Sequence, residues 1–178
     1  TDPRRTQTAI SRDHMSNLGT SVFRREVFDV ARFPAVHVHE DAALWARALV
    51  MGKTYGFIDR VHLVMREHED HTAAHGHVKT PESQRKAHLR SYPAFESLID
   101  LRPRMTDAQW SALRGRLVST GFWTLGYQLY WQQGMPREAF EWFHRGLRLD
   151  PRNKKLWKTY LVALARRLTL TRPRTPRS

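Results

Sequence analysis

The chain has 178 residues, of which 40% are hydrophobic and six are Trp, and its net charge is +13. This composition excludes a disordered chain and indicates one packed domain or two small ones. No apolar run reaches the ~18 residues that a bilayer span needs, and we expect no secretory signal at the start. The absence of Cys excludes disulfides and thiolate metal sites. Because the first residue is Thr1, we expect a fragment or a processed product.

The positive charge is concentrated at the C-terminal end. Residues 145–178 hold 11 Lys and Arg against one acidic residue, whereas residues 1–144 hold 19 against 16. A basic end of this kind can contact anionic lipid or nucleic acid. The alternative is a solvated helix face followed by a disordered, Arg-rich tail.

The first elements in chain order are short. Residues 1–13 show no period and are predicted to form a loop. Residues 20–23 form a β-type run, and residues 24–30 favour a short helix that ends before a Phe-Pro pair. Residues 35–39 alternate apolar residues with His, which predicts an extended segment leading into the next helix.

The segment from Glu40 to Met51 predicts a helix. Acidic residues occupy its first turn, where free N–H groups and the positive end of the helix dipole favour them. Gly52 follows its end, as Gly commonly does. Residues 54–58 and 61–65 are then two β-type runs, and residues 67–80 are a loop rich in His, Gly and Thr.

From Pro81 onward the apolar period is helical. A Pro at the first position and Thr106 as a cap are typical helix starts. The alternating Pro and Arg residues of 172–177 cannot continue a helix, so we expect a disordered end. The predicted helices run from Pro81 towards Ile99, from Asp107 to Gln133, from Pro136 to Leu149, and from Asn153 to about Leu168.

Four segments between residues 19 and 72 follow one another at an informative spacing. They are Thr20–Phe28, Glu40-Asp41 with Leu44-Trp45 and Arg47, Gly52–Asp59, and Met65–His68. Together they resemble the C-terminal, acceptor-side part of family 2 glycosyltransferases, which have the GT-A fold.

The resemblance implies an α+β, mainly helical fold with three parts. Residues 1–80 would be the C-terminal part of a GT-A α/β domain, the acceptor side of the enzyme. Residues 81–170 would be an antiparallel helical, tetratricopeptide-like extension, and residues 171–178 a disordered basic tail. We place the domain boundary near residue 80, where the composition changes.

The acidic pair carries the predicted chemistry. Inverting sugar transfer needs a base that deprotonates the acceptor hydroxyl as it attacks the anomeric carbon. By resemblance, Asp41 is that base and Glu40 is the catalytic neighbour that orients it; the alternative is an ordinary acidic first turn. Trp45 and Arg47 would bind the acceptor, Trp45 as an apolar wall and Arg47 as a phosphate contact. The alternatives are core packing for Trp45 and pairing with an acid for Arg47.

The resemblance places Arg66 and His68 beside the nucleotide diphosphate and its metal. His68 is then a candidate ligand of the divalent Mg²⁺ or Mn²⁺ ion expected in the complete enzyme. His68, His71, His75 and His77 could instead bind zinc together, or belong to a flexible polar loop.

The sequence departs from the family in the half that binds the nucleotide. It contains no Asp-x-Asp metal motif, and no nucleotide-binding module precedes residue 19. We therefore expect an enzyme only as part of a longer chain, with this fragment inactive alone. The expected partners are a nucleotide-sugar donor and a glycan or lipid-linked acceptor, and nucleic acid is not expected. The expected location is cytoplasmic, and residues 153–178 could hold the protein peripherally at the anionic inner face of the membrane.

A second resemblance lies in the helical part. Trp157 follows Trp123 by 34 residues, which is the period of the tetratricopeptide repeat that residues 123–157 resemble. Gly146 stands where that repeat usually has Ala. The alternative function is therefore a non-catalytic, basic helical-repeat module that binds a protein, membrane or RNA partner. The residues at the repeat's intervals are Trp123, Tyr130, Ala139, Phe143 and Pro151.

Overall fold

A computed structural model describes residues 21–36, 38–54, 56 and 80–170, and the chain divides into two compact units between Arg116 and Leu117. The helices of the first unit are α1 (Val27–Val30), α2 (Glu40–Val50), α3 (Pro81–Glu96), a 3-10 helix (Ile99–Arg104) and α4 (Asp107–Val118), whose last two residues lie past the division. Those of the second unit are a π-helix (Ser119–Trp131), α5 (Pro136–Leu149) and α6 (Lys154–Leu170).

The α+β fold class with a partial GT-A domain is wrong. The structure is all-helical, and no strand occurs in the ranges that it describes. Within the first β-type run, residues 21–23 are irregular, and the Phe23 ring packs on a helix instead of pairing in a sheet. Most of residues 54–58 and all of residues 61–65 lie outside the described ranges. The domain boundary near residue 80 stays a prediction.

Helix α2 has the start and stop that its sequence predicts. Glu40 and Asp41 occupy the first turn, after His39 in the left-handed region with φ 61°. At the other end Gly52 has φ 84°, and the Lys53 N–H donates to the Ala48 carbonyl at 2.9 Å. This is the bonding of a Schellman motif, which satisfies the last carbonyls of the helix.

The first unit encloses α2, none of whose residues is exposed. Leu44 and Ala48 pack with Ala31, and Phe23 covers the cluster from the N-terminal segment. On other sides α2 contacts α3 and the 3-10 helix. The position of the acidic first turn is therefore fixed by apolar residues further along the same helix.

Side-chain caps start α3 and α4. The Thr80 hydroxyl accepts from the Ser83 N–H at 3.2 Å, and the Thr80 N–H donates to the Ser83 hydroxyl. Thr106 and Gln109 exchange the same pair of bonds, which confirms Thr106 as a cap. Reciprocal bonds of this kind satisfy two N–H groups that the first turn leaves unpaired.

The π-helix and α5 interlock through glycines in the second unit. The Gly146 Cα faces Phe122 of the π-helix, while Gly126 of the π-helix faces Phe143 of α5. Both phenylalanines are fully buried, and their ring centroids lie 4.7 Å apart. Each glycine thus makes room for the ring of the opposite helix.

Helix α6 packs against α5 along a narrow face. Leu156 is fully buried, and the Tyr160 ring lies 5.4 Å from the Phe140 ring of α5. The Asn153 side chain accepts from the Lys155 N–H at 3.1 Å and begins the helix. None of the helices that the structure describes combines the length and apolar character required to cross a bilayer.

Candidate functional site

The predicted catalytic pair lies at the start of α2. Glu40 and Asp41 are both half-buried, and Asp41 Oδ1 accepts a hydrogen bond from the Ala42 N–H at 2.7 Å. A carboxylate bonded to a first-turn N–H is the usual arrangement for an acid at a helix N-terminus. The contacts of Asp41 therefore match the ordinary acidic first turn, and its role as a general base stays a prediction.

The two predicted acceptor-binding residues make structural contacts. The half-buried Trp45 ring lies 4.8 Å from the Phe23 ring. The Arg47 guanidinium donates to both carboxylate oxygens of Asp100 at 3.1 Å and also to the Ser97 carbonyl. Core packing for Trp45 and acid pairing for Arg47 are thus what the structure contains, and Arg47 does not reach Asp41.

The Arg47–Asp100 pair fastens α2 to the 3-10 helix. It is bidentate, and the Arg47 side chain is only 17% exposed. Bidentate Arg–carboxylate pairs with a shielded partner contribute more than open surface pairs do. The pair occupies the terminal amino groups of Arg47, and a role of Arg47 in acceptor binding stays a prediction.

We expect Asp100→Asn to lower the free energy of unfolding by about 1 kcal/mol, because it removes the charge that the shielded Arg47 faces. Asp107→Asn is the matched control. Asp107 forms a single ion pair with Arg102, is 98% exposed and lies in the first turn of α4, so we expect a smaller loss of about 0.5 kcal/mol or less. Urea denaturation of both variants makes the comparison, and equal losses would contradict a structural role for the Arg47 pair.

The predicted metal-site neighbours cannot be placed. Arg66 and His68 lie outside the described residues, as do His71, His75 and His77. Among the residues that are described, no three His, Asp or Glu side chains cluster as metal ligands would. The divalent metal of the complete enzyme and the zinc alternative both stay predictions.

A different candidate site lies in the second unit, between α5 and α6. It is an open groove of about 540 Å³ with a mainly apolar lining. The lining residues are His144, Leu147 and Arg148 of α5, Pro151 of the connection, and Trp157 and Tyr160 of α6.

Hydrogen bonds fix the aromatic wall of this groove. The Trp157 indole N–H donates to the Pro151 carbonyl at 2.8 Å, and the Tyr160 hydroxyl lies 3.0 Å from His144 Nε2. The Trp157 and Tyr160 rings meet edge to face at 5.9 Å. The groove is therefore preformed by contacts within α5, α6 and their connection.

Arg148 lines the groove, and further basic residues lie nearby in the sequence. Arg148, Arg152, Lys154 and Lys158 are exposed, and none of them forms an ion pair with a described residue. The acidic residue of this region, Asp150, is half-buried and accepts from the Asn153 amide at 3.0 Å. The groove thus combines an apolar floor with Arg148 and lies in a mainly basic part of the chain.

The apolar surface continues from the groove along α6. Trp157 is 42% exposed, and Leu161, one turn later, is 55% exposed. Leu164, a further turn on, is half-buried. Large apolar side chains at this spacing form a stripe along one side of a helix. We call the groove and this stripe together the docking surface.

Comparison of the chain with protein-family models, with curated proteins and with solved structures found no match. The glycosyltransferase and tetratricopeptide resemblances therefore stay sequence-based predictions. The groove is not evident in the sequence because its lining comes from two helices that meet only on folding. Two signals pointed to it, namely the excess of basic residues after position 145 and the placement of Trp157 one repeat period after Trp123.

Proposed function

We propose that residues 117–170 form a non-catalytic binding module that takes an anionic macromolecular partner on the docking surface. The observation that carries this proposal is the apolar groove lined by Arg148, in a segment, residues 145–178, that holds 11 Lys and Arg against one acidic residue. Apolar floors supply affinity, while an excess of one charge steers and selects a partner of the opposite charge. A cytoplasmic location, as predicted from the sequence, is part of this proposal. The vesicle probe described below also tests peripheral attachment to a membrane.

The proposal is supported by the difference between the two candidate sites. At α2 the predicted site residues bond to neighbours in their own unit, as Arg47 does with Asp100. At the groove, the Arg148 Nε bonds to the His144 carbonyl at 3.4 Å, while its terminal amino groups bond to no described residue. The basic groups of the second site are thus available to an incoming ligand.

The whole chain should bind at least one of three anionic probes. These are vesicles that contain phosphatidylglycerol, a single-stranded RNA, and a synthetic acidic amphipathic helix. We expect binding to weaken as salt is raised, because the contacts of the exposed basic side chains are open to solvent and screened by ions. We also expect Lys154→Glu with Lys158→Glu to weaken it about tenfold or more.

Lys86→Glu is the matched control for this test. Lys86 is an exposed residue of α3 in the first unit, and its charge reversal changes the net charge without touching the docking surface. Absence of saturable binding to all three probes would contradict the proposed function, and equal weakening by the control would show that only net charge matters.

A further inference from the structure

The outward side of α6 is mainly apolar in its C-terminal half. Leu156 is fully buried and Ala163 is 2% exposed, so these two residues mark the side of α6 that faces its own unit. An α-helix turns about 100° per residue, and the outward side therefore lies about 120° to 240° around the axis from Leu156. Beyond residue 160 this side carries one Thr and four exposed apolar residues, which we call the outer patch: Leu161, Val162, Ala165 and Leu168.

The outer patch is a group of large side chains that are open to solvent. Leu161 is 55% exposed, Val162 is 47% exposed and Leu168 is 61% exposed. Apolar side chains scattered singly are normal on a protein surface, whereas grouped ones mark a site of contact with a protein or a membrane. The question is then which kind of partner covers the outer patch.

A partner confined to the groove would leave part of the outer patch uncovered. The groove lies on the side of Tyr160 and Trp157, about 40° and 100° around α6 from Leu156. Val162 lies about 140° further round than Trp157, at the opposite edge of the outer patch. A helix covers such a wide arc when it sinks about 5–10 Å into the interface of a bilayer.

The charges of α6 complement an anionic surface. Helix α6 contains no Asp or Glu, whereas α3 and α5 both combine Glu with basic residues. The basic residues of α6 that are exposed and form no ion pair with a described residue are Lys154, Lys155, Lys158 and Arg166. Each Lys or Arg near an anionic membrane strengthens binding about fivefold.

The lysines on the outward side are compatible with contact to lipid. Lys154 and Lys158 lie about 160° and 200° from Leu156, one to two turns before the outer patch. Lysine side chains lay their apolar stems along a hydrophobic surface while the ammonium group stays in the polar layer. These two residues can therefore contact lipid phosphates while the second half of the helix enters the acyl region.

Other anionic or apolar partners fit the outer patch less well. Single-stranded RNA stacks its bases on aromatic rings, whereas the side chains of the outer patch are aliphatic. A second copy of this chain could cover apolar residues, but each copy carries a net charge of +13. An anionic lipid surface matches both the aliphatic patch and the charge.

Resting on the proposed binding function, we infer that α6 lies in the interface of a membrane that contains anionic lipid. Leu161, Val162 and Leu168 contact the acyl chains. Lys154 and Lys158 contact the phosphate groups. The apolar patch supplies the insertion and the basic residues select the anionic surface.

The first test measures co-sedimentation of the whole chain with vesicles. One set contains equal amounts of phosphatidylglycerol and phosphatidylcholine, and the other contains phosphatidylcholine alone. We expect binding to the anionic vesicles and at least tenfold weaker binding to the neutral ones. Soluble glycerol phosphate at the same phosphate concentration should not compete, because it offers charge without an apolar layer.

Exposed leucines provide matched variants. Leu161→Ser with Leu168→Ser changes the outer patch, whereas Leu89→Ser changes a leucine of α3 that is 40% exposed. All three positions are already open to solvent, so none of the changes should unfold the chain. We expect the double variant to weaken vesicle binding about tenfold and Leu89→Ser to leave it unchanged.

A fluorescent label reports whether the outer patch enters the lipid. The chain has no Cys, so Ala165→Cys introduces a single site for an environment-sensitive dye at the centre of the outer patch, and Leu89→Cys is the control. On addition of anionic vesicles, the emission of the dye at position 165 should shift to the blue, while the emission at position 89 stays unchanged.

The outcomes separate this inference from the proposed function. Binding of RNA or of the acidic helix without binding of anionic vesicles would overturn the inference and leave the binding module standing. Equal binding of neutral vesicles, an unaltered affinity of the double Ser variant, or no blue shift at position 165 would also overturn it. Failure of every probe would overturn both.

Discussion

Replacing Gly146 by Ala should lower the free energy of unfolding by about 2 kcal/mol, although Ala is the better helix former. A Cβ at position 146 would lie 2.7 Å from Cδ2 and 2.8 Å from Cβ of Phe122. The second distance involves an atom next to the backbone, so rotation of the ring cannot relieve it. The two helices must move apart, and the buried contact between Phe122 and Phe143 loosens with them.

The same substitution at other glycines provides the controls. At Gly126 the added Cβ would lie 3.1 Å from Phe143 and Trp142, and small shifts of these side chains can relieve that contact. At Gly115 no atom lies within 4 Å of the added Cβ. We therefore expect a smaller loss for Gly126→Ala and a gain of about 0.5–1 kcal/mol for Gly115→Ala, from helix propensity alone. Urea denaturation of the three variants gives the ranking, and a stabilised Gly146→Ala would contradict the interlocked packing.

Replacing Phe143 by Ala should have the largest effect of any change considered, a loss of about 3–5 kcal/mol. Phe143 is fully buried. Its ring centroid lies 4.7 Å from that of Phe122, 5.7 Å from Phe140 and 6.4 Å from Trp131. Removal of the ring leaves a cavity that the surrounding rigid aromatic rings do not fill. Helix α5, which forms one side of the groove, then loses its main buried contact with the π-helix.

Phe28→Ala is the control for that change. Phe28 is 38% exposed and contacts the rings of Phe23 and Phe33 at 5.6 and 6.2 Å. Because its ring already contacts water, we expect a loss of only about 1 kcal/mol or less. Urea denaturation measures both variants, and a loss at Phe143 no greater than the loss at Phe28 would refute the assignment of the aromatic cluster as the core of the second unit.

Local signals in the sequence were sufficient to predict the helices. Pro136 at a first helical position and the apolar period after it predict α5 with the bounds that the structure has. Gly52 predicts the end of α2 because a left-handed residue closes the helix there. The helix predicted from Asp107 to Gln133 is instead α4 followed by a π-helix. Sequence period alone does not specify that wider hydrogen-bond pattern.

The fold class failed because a short apolar run is ambiguous. Residues 20–23 have the composition of a strand, yet a run of this length equally suits an extended segment that packs on a helix. The Phe23 ring contacts the Trp45 ring, and no sequence pattern links those two residues. The resemblance to an α/β enzyme favoured a strand for residues 20–23. In the structure, Phe23 instead packs against a helical cluster that contains Leu44 and Ala31.

Neither the partner of Arg47 nor the groove could be predicted. Arg47 and Asp100 are 53 positions apart, and nothing local marks the pair. The groove depends on the side-by-side packing of α5 and α6, which brings Leu147 next to Trp157. Contacts of this kind arise only in the tertiary structure, whereas the basic character of the region is visible in composition.

The indole N–H signals of the Trp residues test the central claim most directly. Trp157 lies in the groove with its N–H bonded to the Pro151 carbonyl, and Trp45 lies on α2 beside the predicted catalytic pair. Nuclear magnetic resonance of the ¹⁵N-labelled chain follows both signals during titration with a short-chain, water-soluble phosphatidylglycerol, and a Trp157→Phe variant assigns the first. The account predicts that the Trp157 signal and the backbone amides of residues 144–168 shift while the Trp45 signal stays in place. Shifts at Trp45 and along α2, with Trp157 unmoved, would contradict it.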